Sequence, residues 1–464
     1  MRFKILSGMF FALACTVAHG QSLLDSTFNP GTGAAGGFVE SVALQSNGKI
    51  LVCGNFTSFN GQPKSNIARL NSDGSVDTSF GADVGYWVRH MAVQTDGKII
   101  VGGFFNNAGV YPHHCIARLN TNGTVDTSFD TGTGATGTLG VSITGNPDPF
   151  VFQVAIQPSD GKILITGNFT NFNGTRVSGL ARLNTNGTLD GTFSMGSGLS
   201  TWGRSIQVLT NNQILVTGWF DNYNNSSHNR MALINPNGSP DNSFLPFFGD
   251  RTAVYTATKL STGSYLCAGH SLNLQGLFLK EIERRTSSGS IDTNFVGYAD
   301  EKIQCATLDA NGKILLCGEF TAVDGVSRTS IARMNADGTL ETTFSANVDN
   351  WAWMILPQPD GKILLSGGFS TVDGQPRSGI ARFLSSTNAA PFVRPQMISS
   401  HRTNNTFSTV ATTVSGKTYT LQYINSFSQT NWSSLSPVSG DGTVKTFNDT
   451  NATVSNRFYR IFVN

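Results

Sequence analysis

Short apolar blocks alternate with polar, glycine-rich turns along most of the chain, and the arrangement recurs about every 50 residues. Each block contains four segments patterned like β-strands, joined by Asn-Gly or Asp-Gly pairs that favour tight hairpin turns. In the first block the segments are 42–45, 49–56, 66–70 and 75–80. A β-patterned period of this length is typical of propellers and solenoids, because one unit alone cannot bury both of its faces.

The second segment of each block is apolar almost without interruption, which predicts a strand buried on both faces. Its sixth position is glycine in every copy, so we expect the backbone there to be crowded or to adopt a conformation that only glycine tolerates. These glycines are Gly54, Gly103, Gly167, Gly218, Gly269, Gly318 and Gly367. Seven copies predict an all-β fold, a seven-bladed β-propeller of four-stranded blades.

The two ends of the repeat region predict a closed ring. The seventh block stops at Phe383 without its fourth segment, whereas an additional copy of that segment, 24–28, stands ahead of the first block. We expect this N-terminal strand to complete the last blade, since an open solenoid would not need it. An arginine and an acid also face each other across each predicted hairpin, with Arg382 and Asp25 meeting at the closure. The other predicted ion pairs are Arg69 with Asp77, Arg118 with Asp126, Arg182 with Asp190, Arg284 with Asp292 and Arg333 with Glu341, and Leu233 marks the exception.

These motifs resemble the delta-60 repeat family of secreted bacterial proteins. The resemblance rests on Gln-Pro-Asp-Gly-Lys-Ile-Leu-Leu-Ser-Gly-Gly-Phe at 358–369, Ile-Ala-Arg-Phe at 380–383 and Asn-Thr-Asn-Gly-Thr-Val-Asp-Thr-Ser-Phe at 120–129. It covers roughly residues 24–385, and the fifth block departs most, with Ile-Glu-Arg-Arg at 282–285. The resemblance implies a propeller fold and an exported location. It implies no activity that could be assigned to individual residues.

The predicted domains are a signal peptide at 1–20, a propeller at 21–385, a polar linker at 386–391 and a small β-sandwich at 392–464. Arg2 and Lys4 precede an apolar stretch that ends at small residues, as in a secretory signal. A short membrane anchor is the weaker alternative, because the apolar stretch is too short to span a bilayer. Residues 13–15 also resemble a bacterial lipoprotein box, which would place a lipid on Cys15.

The C-terminal region alternates apolar and polar residues in segments 406–414, 418–424, 444–447 and 457–463, which predicts a compact antiparallel sandwich. Tyr-Thr-Leu-Gln at 419–422, Asn-Trp at 431–432 and Phe-Tyr-Arg-Ile at 458–461 resemble the small terminal module of many secreted bacterial proteins. Attachment, sorting and spacing are open roles for it, and a plain folded appendage is the simplest interpretation.

Composition narrows the classes of partner. Charged residues make up 13% of the 464 residues and the formal net charge is +2, so we expect no nucleic-acid partner. No apolar run after the signal peptide approaches the roughly 18 residues of a transmembrane span. The cysteines follow no disulfide framework. Cys305 and Cys317 flank one predicted hairpin and either pair or remain buried thiols, the second being the simpler interpretation.

Loops that lead into the first strand of a blade, and those that join its second and third strands, meet on one face of a propeller, where the default ligand site lies. At one equivalent position ahead of the first strand, five of seven residues are aromatic: Phe38, Trp87, Phe150, Trp202, Ala253, Lys302 and Trp351. We predict that they ring the mouth of the channel. Aromatic faces suit sugar rings, with Asp250, Arg251, Lys302 and Asp349 as polar neighbours, so a glycan or another cell-surface component is the predicted partner. The alternative is that these rings wedge between blades and contribute only to packing.

Motifs for catalysis are absent from the sequence. It contains no nucleophile elbow, phosphate loop, His-Glu-x-x-His or dinucleotide fingerprint, so we predict no cofactor and, as the leading hypothesis, a non-enzymatic extracellular binding or structural protein. The alternative is a carboxylate-based hydrolase or lyase acting on an extracellular polysaccharide, with acids drawn from Asp83, Asp250, Asp300 and Asp349. A third class, interaction within a surface assembly, would require a large exposed apolar patch.

Metal sites are not predicted. His90, His113 and His114 fall on one face of the second blade, but no carboxylate accompanies them at a matched spacing. The loop 71–77 is too short for a calcium site and lacks a terminal bidentate glutamate, so a hairpin turn is the preferred interpretation.

Overall fold

The computed structural model describes residues 23–140, 148–248, 252–271, 281–385, 397–413, 418–426, 429, 431–440, 443–453 and 457–463. The chain divides into two compact units, Met1–Ser386 and Thr387–Asn464. The predicted signal peptide 1–20 with Cys15, the polar residues Asp250 and Arg251, and the predicted linker 386–391 lie outside the described residues. None of the described residues forms a helix, so no apolar helix long enough to cross a membrane occurs among them.

In the described part of the first unit, seven three-stranded antiparallel sheets share one arrangement, with their three strands in chain order. We number these repeats one to seven and call their strands first, second and third. The first strands are Phe38–Leu44, Val88–Val93, Phe150–Ile156, Gly203–Val208, Thr252–Lys259, Ile303–Leu308 and Ala352–Pro357. The second strands are Ile50–Asn55, Ile99–Gly103, Ile163–Asn168, Ile214–Gly218, Tyr265–Ser271, Ile314–Gly318 and Ile363–Gly367. The third strands are Ile67–Leu70, Ile116–Leu119, Leu180–Leu183, Met231–Ile234, Ile282–Arg285, Ile331–Met334 and Ile380–Phe383.

The first strands surround a common channel. Residues of all seven first strands line one cavity of about 130 Å³. Repeats one and seven are neighbours, because the Ser366 hydroxyl donates to the Glu40 carbonyl at 3.2 Å. The second strands are buried along nearly their whole length, as their continuous apolar pattern predicts.

The N-terminal segment lies against repeat seven. Leu24 forms a β-bridge with Phe383, and the Asp25 amide donates to the Arg382 carbonyl at 2.8 Å. The Leu384 amide in turn donates to the carbonyl of Leu23 at 2.7 Å. The segment ahead of repeat one therefore supplies the piece that repeat seven lacks.

The fourth segment of each repeat differs from the sequence prediction of a full strand. In repeat one it makes a single bridge, between Leu70 and Val76, and then turns. The Asp77 carboxylate accepts the Ser79 amide at 3.0 Å, and the Phe80 amide donates to the Asp77 carbonyl at 3.3 Å. Because the aspartate caps this turn, the segment does not extend the ladder, and the sheets have three strands where four-stranded blades were predicted.

The predicted cross-strand ion pairs are present in the structure. Arg69 contacts Asp77 at 2.7 Å between Nε and Oδ2, and Arg382 contacts Asp25 across the closure at 2.8 Å. The pairs of Arg118 with Asp126, Arg182 with Asp190, Arg284 with Asp292 and Arg333 with Glu341 are all 2.7 Å long. In repeat four, Gln213 donates to Asp241 at 2.9 Å instead.

Five of these arginines also donate to a backbone carbonyl of a neighbouring repeat, namely Arg69, Arg118, Arg182, Arg284 and Arg382. Arg69 Nη1 donates to the carbonyl of Thr121 in repeat two at 2.5 Å, and its guanidinium lies 4.6 Å from the centre of the Phe80 ring. Lys49 adds a second cation to Asp77 at 2.6 Å. The repeated arginine is therefore a packing element, which explains its regular spacing along the chain.

A short hairpin follows the second strand of each repeat in which it is described. Its pairs are Ser58–Phe59 with Gln62–Pro63, Asn107–Ala108 with Tyr111–Pro112, Asn171–Phe172 with Thr175–Arg176, Asn222–Tyr223 with Ser226–Ser227, Ala322–Val323 with Val326–Ser327, and Thr371–Val372 with Gln375–Pro376. Ala34–Ala35 and Ala135–Thr136 extend two of them. In repeat one, Asn60 and Gly61 have φ of 46° and 69°, the two positive angles that a tight hairpin turn of the primed type requires.

In its described residues, the second unit contains two three-stranded sheets that share one apolar core. The first sheet contains Met397–Thr403, Thr406–Thr412 and Val444–Asp449, and the second contains Ser433–Ser439, Thr418–Ile424 and Phe458–Val463. Tyr419 and Leu421 of one sheet pack with Ala411 and Phe447 of the other. Four of the six strands correspond to predicted segments, and Met397–Thr403 and Ser433–Ser439 do not.

Candidate ligand-binding site at the channel mouth

The repeated glycine of the second strand produces a bulge in the first strand. A Cβ atom on Gly54 would stand 2.1 Å from the Phe38 carbonyl oxygen. In the other repeats, a Cβ atom on the equivalent glycine would stand 2.0–2.6 Å from the equivalent carbonyl oxygen. Pairing skips one residue there, from Val39 opposite Gly54 to Ser41 opposite Cys53. Glu40 is thereby left without a partner strand residue and lines the channel. The glycine is crowded, as the sequence predicted.

All seven first strands carry this bulge, and all seven bulged residues line the channel. They are Glu40, Arg89, Phe152, Arg204, Tyr255, Gln304 and Trp353. The lining therefore combines charged, amide and aromatic groups within an otherwise apolar strand. This set of residues was not predicted from the sequence. The available signal was a polar or aromatic residue two positions after each predicted mouth residue.

Glu40 and Arg89, from repeats one and two, form an ion pair in the channel lining. Arg89 Nη2 lies 2.5 Å from Glu40 Oε1, and the Trp87 indole donates to Glu40 Oε2 at 2.6 Å. Burial raises the pKa of Glu40 against the opposing effect of Arg89 and lowers the pKa of Arg89 to about 10. Both oxygens of this carboxylate are thus engaged within the protein.

Arg204 and Gln304, from repeats four and six, form a hydrogen-bonded pair in the same lining. Arg204 Nη2 donates to Gln304 Oε1 at 2.5 Å, and the guanidinium lies 4.0 Å from the centre of the Tyr255 ring and 5.2 Å from that of Phe152. Gln304 Nε2 donates to Glu319 Oε1 at 2.8 Å, which fixes the orientation of the amide. Enclosure in the channel lowers the pKa of Arg204.

The predicted mouth residues stand two positions before these channel residues in the chain, and their exposure is unequal. Phe150, Trp202 and Ala253 are buried, whereas Phe38, Trp87 and Lys302 are half-buried. Trp351 is 41% exposed. Phe150 and Trp202 therefore contribute to packing, as the alternative interpretation of these rings predicted. The side chains that reach solvent belong to repeats six, seven, one and two.

A continuous stack of rings explains that burial. Trp87 and Phe104 stack with centroids 4.9 Å apart, and Phe104 stacks on Phe150 at 4.3 Å. The series continues through Phe152 to Trp202, with centroids 5.4 Å apart. Phe104 follows the repeated glycine of repeat two, a position that sequence analysis did not single out.

The Trp351 indole lies against Gly368. A Cβ atom on Gly368 would stand 2.5 Å from Trp351 Nε1, so the missing side chain provides the space in which the indole lies. The Trp351 amide donates to Asn350 Oδ1 at 2.9 Å, and its carbonyl accepts the Gly368 amide at 3.1 Å. At this mouth position, Lys302 of repeat six donates to Glu319 at 3.0 Å.

Two of the predicted mouth acids act as caps of the loop after the second strand. Asp300 accepts the amides of Thr321 and Ala322, each at 2.9 Å, and Asp349 accepts those of Ser370 and Thr371 at 2.8 and 3.0 Å. Burial opposes ionisation of Asp300, but hydrogen bonds from Thr321 and the backbone hold its pKa below the usual value. Asp83 is exposed to solvent.

The candidate histidines do not act together. His90 lines the channel, where burial lowers its pKa to about 4, whereas His114 Nδ1 contacts Asn106 Oδ1 at 3.2 Å. His113 is buried. In the described part of the chain, no three His, Cys, Asp or Glu side chains are grouped to hold a metal ion.

Cys305 and Cys317 are directly opposite each other on the first and second strands of repeat six. Both are free thiols in the structure. Cys305 is half-buried and lines the channel, whereas Cys317 is buried.

Six segments of the chain match the family model described as "Domain of unknown function (DUF5122) beta-propeller", at residues 45–80, 94–129, 159–193, 209–244, 310–344 and 358–386. No curated protein matches the chain. Among solved structures, the WD40 β-propeller domain of Doa1 is 13% identical with a TM-score of 0.50, over 79% of this chain and 98% of that one.

Two further structures are similar at lower scores. The extracellular domain of the hybrid two-component system BT4673 from B. thetaiotaomicron is 13% identical, with a TM-score of 0.46, over 84% of this chain and 46% of that one. PorZ, a bacterial surface component of the type-IX secretion system of Porphyromonas gingivalis, is 11% identical, with a TM-score of 0.42, over 91% of this chain and 57% of that one.

Proposed function

We propose that this β-propeller repeat protein is an exported, non-enzymatic binding protein whose seven sheets form seven blades and whose mouth binds a carbohydrate. The blade number is supported by the single channel that all seven first strands line and by the Asp25–Arg382 closure. In this proposal each blade consists of a three-stranded sheet and a fourth segment that pairs with the third strand through a single β-bridge.

The exposed indole of Trp351 is the observation that carries the binding proposal. Its exposure of 41% at the mouth contrasts with the buried Phe150 and Trp202 at the equivalent positions. An exposed, pre-oriented aromatic face costs little conformational entropy to use and suits the apolar face of a sugar ring. Tyr86, 52% exposed beside Trp87, adds a second aromatic surface.

The roles of the mouth acids favour binding over hydrolysis. Asp300 and Asp349 hold loop amides, so neither is free to transfer a proton to a glycosidic oxygen. Glycoside hydrolysis ordinarily requires two carboxyl groups that flank the bond. We therefore expect no release of reducing ends from polysaccharides that the protein binds.

Export is part of the same proposal. It rests on the signal-like residues 1–20, with lipid attachment at Cys15 as the alternative, and on a short linker, 386–391, ahead of the C-terminal β-sandwich. The mass of the N-terminal peptide after expression in a bacterial host tests this step. A peptide that starts at Gln21 supports secretion, a lipidated Cys15 supports anchoring, and a retained Met1 overturns export.

A glycan array probed with the full chain tests the binding site. Trp351→Ala is the informative variant, because Trp202 belongs to the buried ring stack and its replacement would disturb the core. Phe462→Ala is the matched control, since Phe462 is also 41% exposed but lies in the second unit.

We expect Trp351→Ala to weaken glycan binding at least tenfold, or about 1.4 kcal/mol, while Phe462→Ala binds like the parent. Loss of binding in Phe462→Ala alone would move the ligand to the second unit and overturn the mouth site. A folded parent that binds no arrayed glycan would overturn carbohydrate as the ligand.

A further inference from the structure

Arg204 is half-buried in the channel and, unlike the buried arginines of the first unit, forms no ion pair with a described carboxylate. Arg69, Arg89, Arg230 and Arg333, for example, each lie within 4.0 Å of an Asp or Glu oxygen. Among the described residues no such carboxylate reaches Arg204, whose hydrogen bond goes to the neutral amide of Gln304. A cation enclosed in this way is costly unless an anion compensates it.

The channel supplies further donors that lack acceptors. Arg89 is buried and its Nε has no hydrogen-bond partner. In the half-buried Trp353 and His90, the enclosed ring nitrogens Nε1 and Nδ1 also lack a partner, and His90 Nδ1 donates in the tautomer that carries its proton there. All three residues line the same cavity as Arg204. Burial lowers the pKa of Arg204, and the charges of Glu40 and Glu319 only partly oppose this. Neither carboxylate forms an ion pair with Arg204, and both oxygens of Glu40 are engaged by Arg89 and Trp87. The lining therefore holds two guanidinium groups and one carboxylate.

The size and walls of the channel limit the ligand. Its volume of about 130 Å³ approaches that of an engineered cavity of about 150 Å³ that holds benzene, so a carboxyl group and part of the ring that bears it can enter. The Phe152 and Tyr255 rings both lie against the Arg204 guanidinium, with centres 5.2 and 4.0 Å from its carbon, so a planar acceptor meets it at its N–H edge. A carboxylate matches that fork with two parallel hydrogen bonds.

We propose that Arg204 and the neighbouring channel donors form a carboxylate site, and that the glycan bound at the mouth is an acidic sugar, a uronate. This inference rests on the proposed function for the sugar and adds the charged group that the channel recognises. The carboxylate enters the channel and pairs with Arg204, and the sugar rings lie above it against the aromatic residues of the mouth.

Titration calorimetry with trigalacturonate and with its fully methyl-esterified counterpart tests the inference on the full chain. The two probes share their sugar rings and differ only in charge. Arg204→Gln removes the cation at similar size, Arg204→Lys keeps the charge without the fork, and Arg176→Gln removes an exposed arginine of a hairpin as the matched control.

We expect the wild type to bind the acid at least tenfold more tightly than the ester. Arg204→Gln should reduce acid binding to the level of the ester and change ester binding less than twofold. Arg204→Lys should give an intermediate affinity for the acid, and Arg176→Gln should match the wild type.

The outcomes separate this inference from the proposed function. Equal binding of acid and ester by the wild type overturns the carboxylate site and leaves a neutral-sugar mouth standing, a comparison that needs no variant to fold. Unchanged acid binding by a folded Arg204→Gln overturns the role of Arg204. Binding of neither probe overturns the acidic sugar, and the glycan array then decides the proposed function by itself.

Discussion

The carbonyl oxygen of Phe38 lies 2.1 Å from the point where a Cβ atom on Gly54 would stand. Real Cβ atoms do not approach backbone oxygens so closely, so only glycine permits the bulge that directs Glu40 into the channel. In every repeat, a glycine of the second strand lies against a carbonyl at the mouth in this way. The glycine is the same in all seven repeats, whereas the bulged side chain that it directs into the channel differs from repeat to repeat.

Gly54→Ala should lower the free energy of unfolding by about 3 kcal/mol, because the new methyl group collides with backbone rather than with a flexible side chain. Urea unfolding followed by fluorescence measures the loss. Gly81→Ala is the control, since no atom lies within 4 Å of its Cβ position, and it should change stability by less than about 0.5 kcal/mol. Equal midpoints for the two variants would contradict the steric explanation.

Arg118→Leu should cost about 3 kcal/mol of unfolding free energy, because it leaves a buried carboxylate short of a partner. The substitution removes the 2.7 Å ion pair to Asp126, the 2.5 Å hydrogen bond to the Thr185 carbonyl in the next repeat, and the contact with the Phe129 ring. Chemical denaturation is again the measurement. Arg176→Leu, at an exposed hairpin position, should be nearly neutral, and a comparable loss there would refute the role given to Arg118.

The ring closure should weaken in acid. Burial opposes ionisation of Asp25, but hydrogen bonds from Thr27 and the Arg382 ion pair lower its pKa from 3.8 to about 2. A carboxylate with a lowered pKa stabilises the fold above its unfolded pKa, and that contribution disappears as the pH falls from about 4 to about 2.

Asp25→Asn should therefore destabilise the protein by about 2 kcal/mol more at pH 7 than at pH 2. Urea midpoints of both proteins at the two pH values provide the comparison. Asp83→Asn, a change at an exposed acid, should show no such dependence. If the difference in unfolding free energy between the parent and Asp25→Asn is the same at pH 7 and pH 2, the Asp25 charge does not stabilise the closure.

Cys305 should be the first thiol alkylated by iodoacetamide in the native protein. The hydrogen bond with Cys317 lowers its pKa, whereas burial raises the pKa of Cys115 to about 12 and those of Cys53, Cys267 and Cys317 well above the usual value. Only the thiolate reacts, so the ordering follows. Peptide mass spectrometry identifies the site, and Cys305→Ser should abolish the early label. A Cys305–Cys317 disulfide in the purified protein would contradict the free thiols.

Much of the fold could be predicted because its determinants repeat locally. The apolar second strands can be identified from their residue pattern. The arginine and the acid of an ion pair such as Arg69–Asp77 belong to one hairpin, so their spacing in the sequence identifies them. The fourth segment was predicted as a strand because Val76 and Phe80 carry the right pattern, whereas the capping bonds of Asp77 turn the chain.

The candidate site could be predicted only in part. The position of the mouth residues follows from the repeat, but their exposure does not, since Phe150 and Trp202 are covered by rings from neighbouring repeats while Trp351 stays open. Arg204 and Gln304 are 100 residues apart and carry no motif that connects them.

By itself, then, the sequence determined the repeat, the strand order, the crowded glycines and the paired arginines, because each depends on hydrogen bonds and packing within one or two neighbouring segments. Only the tertiary structure decided which seven side chains meet in the channel. A one-residue bulge shifts the facing of each first strand, and the closed ring brings together residues from seven repeats whose charges and shapes have no counterpart in the local pattern.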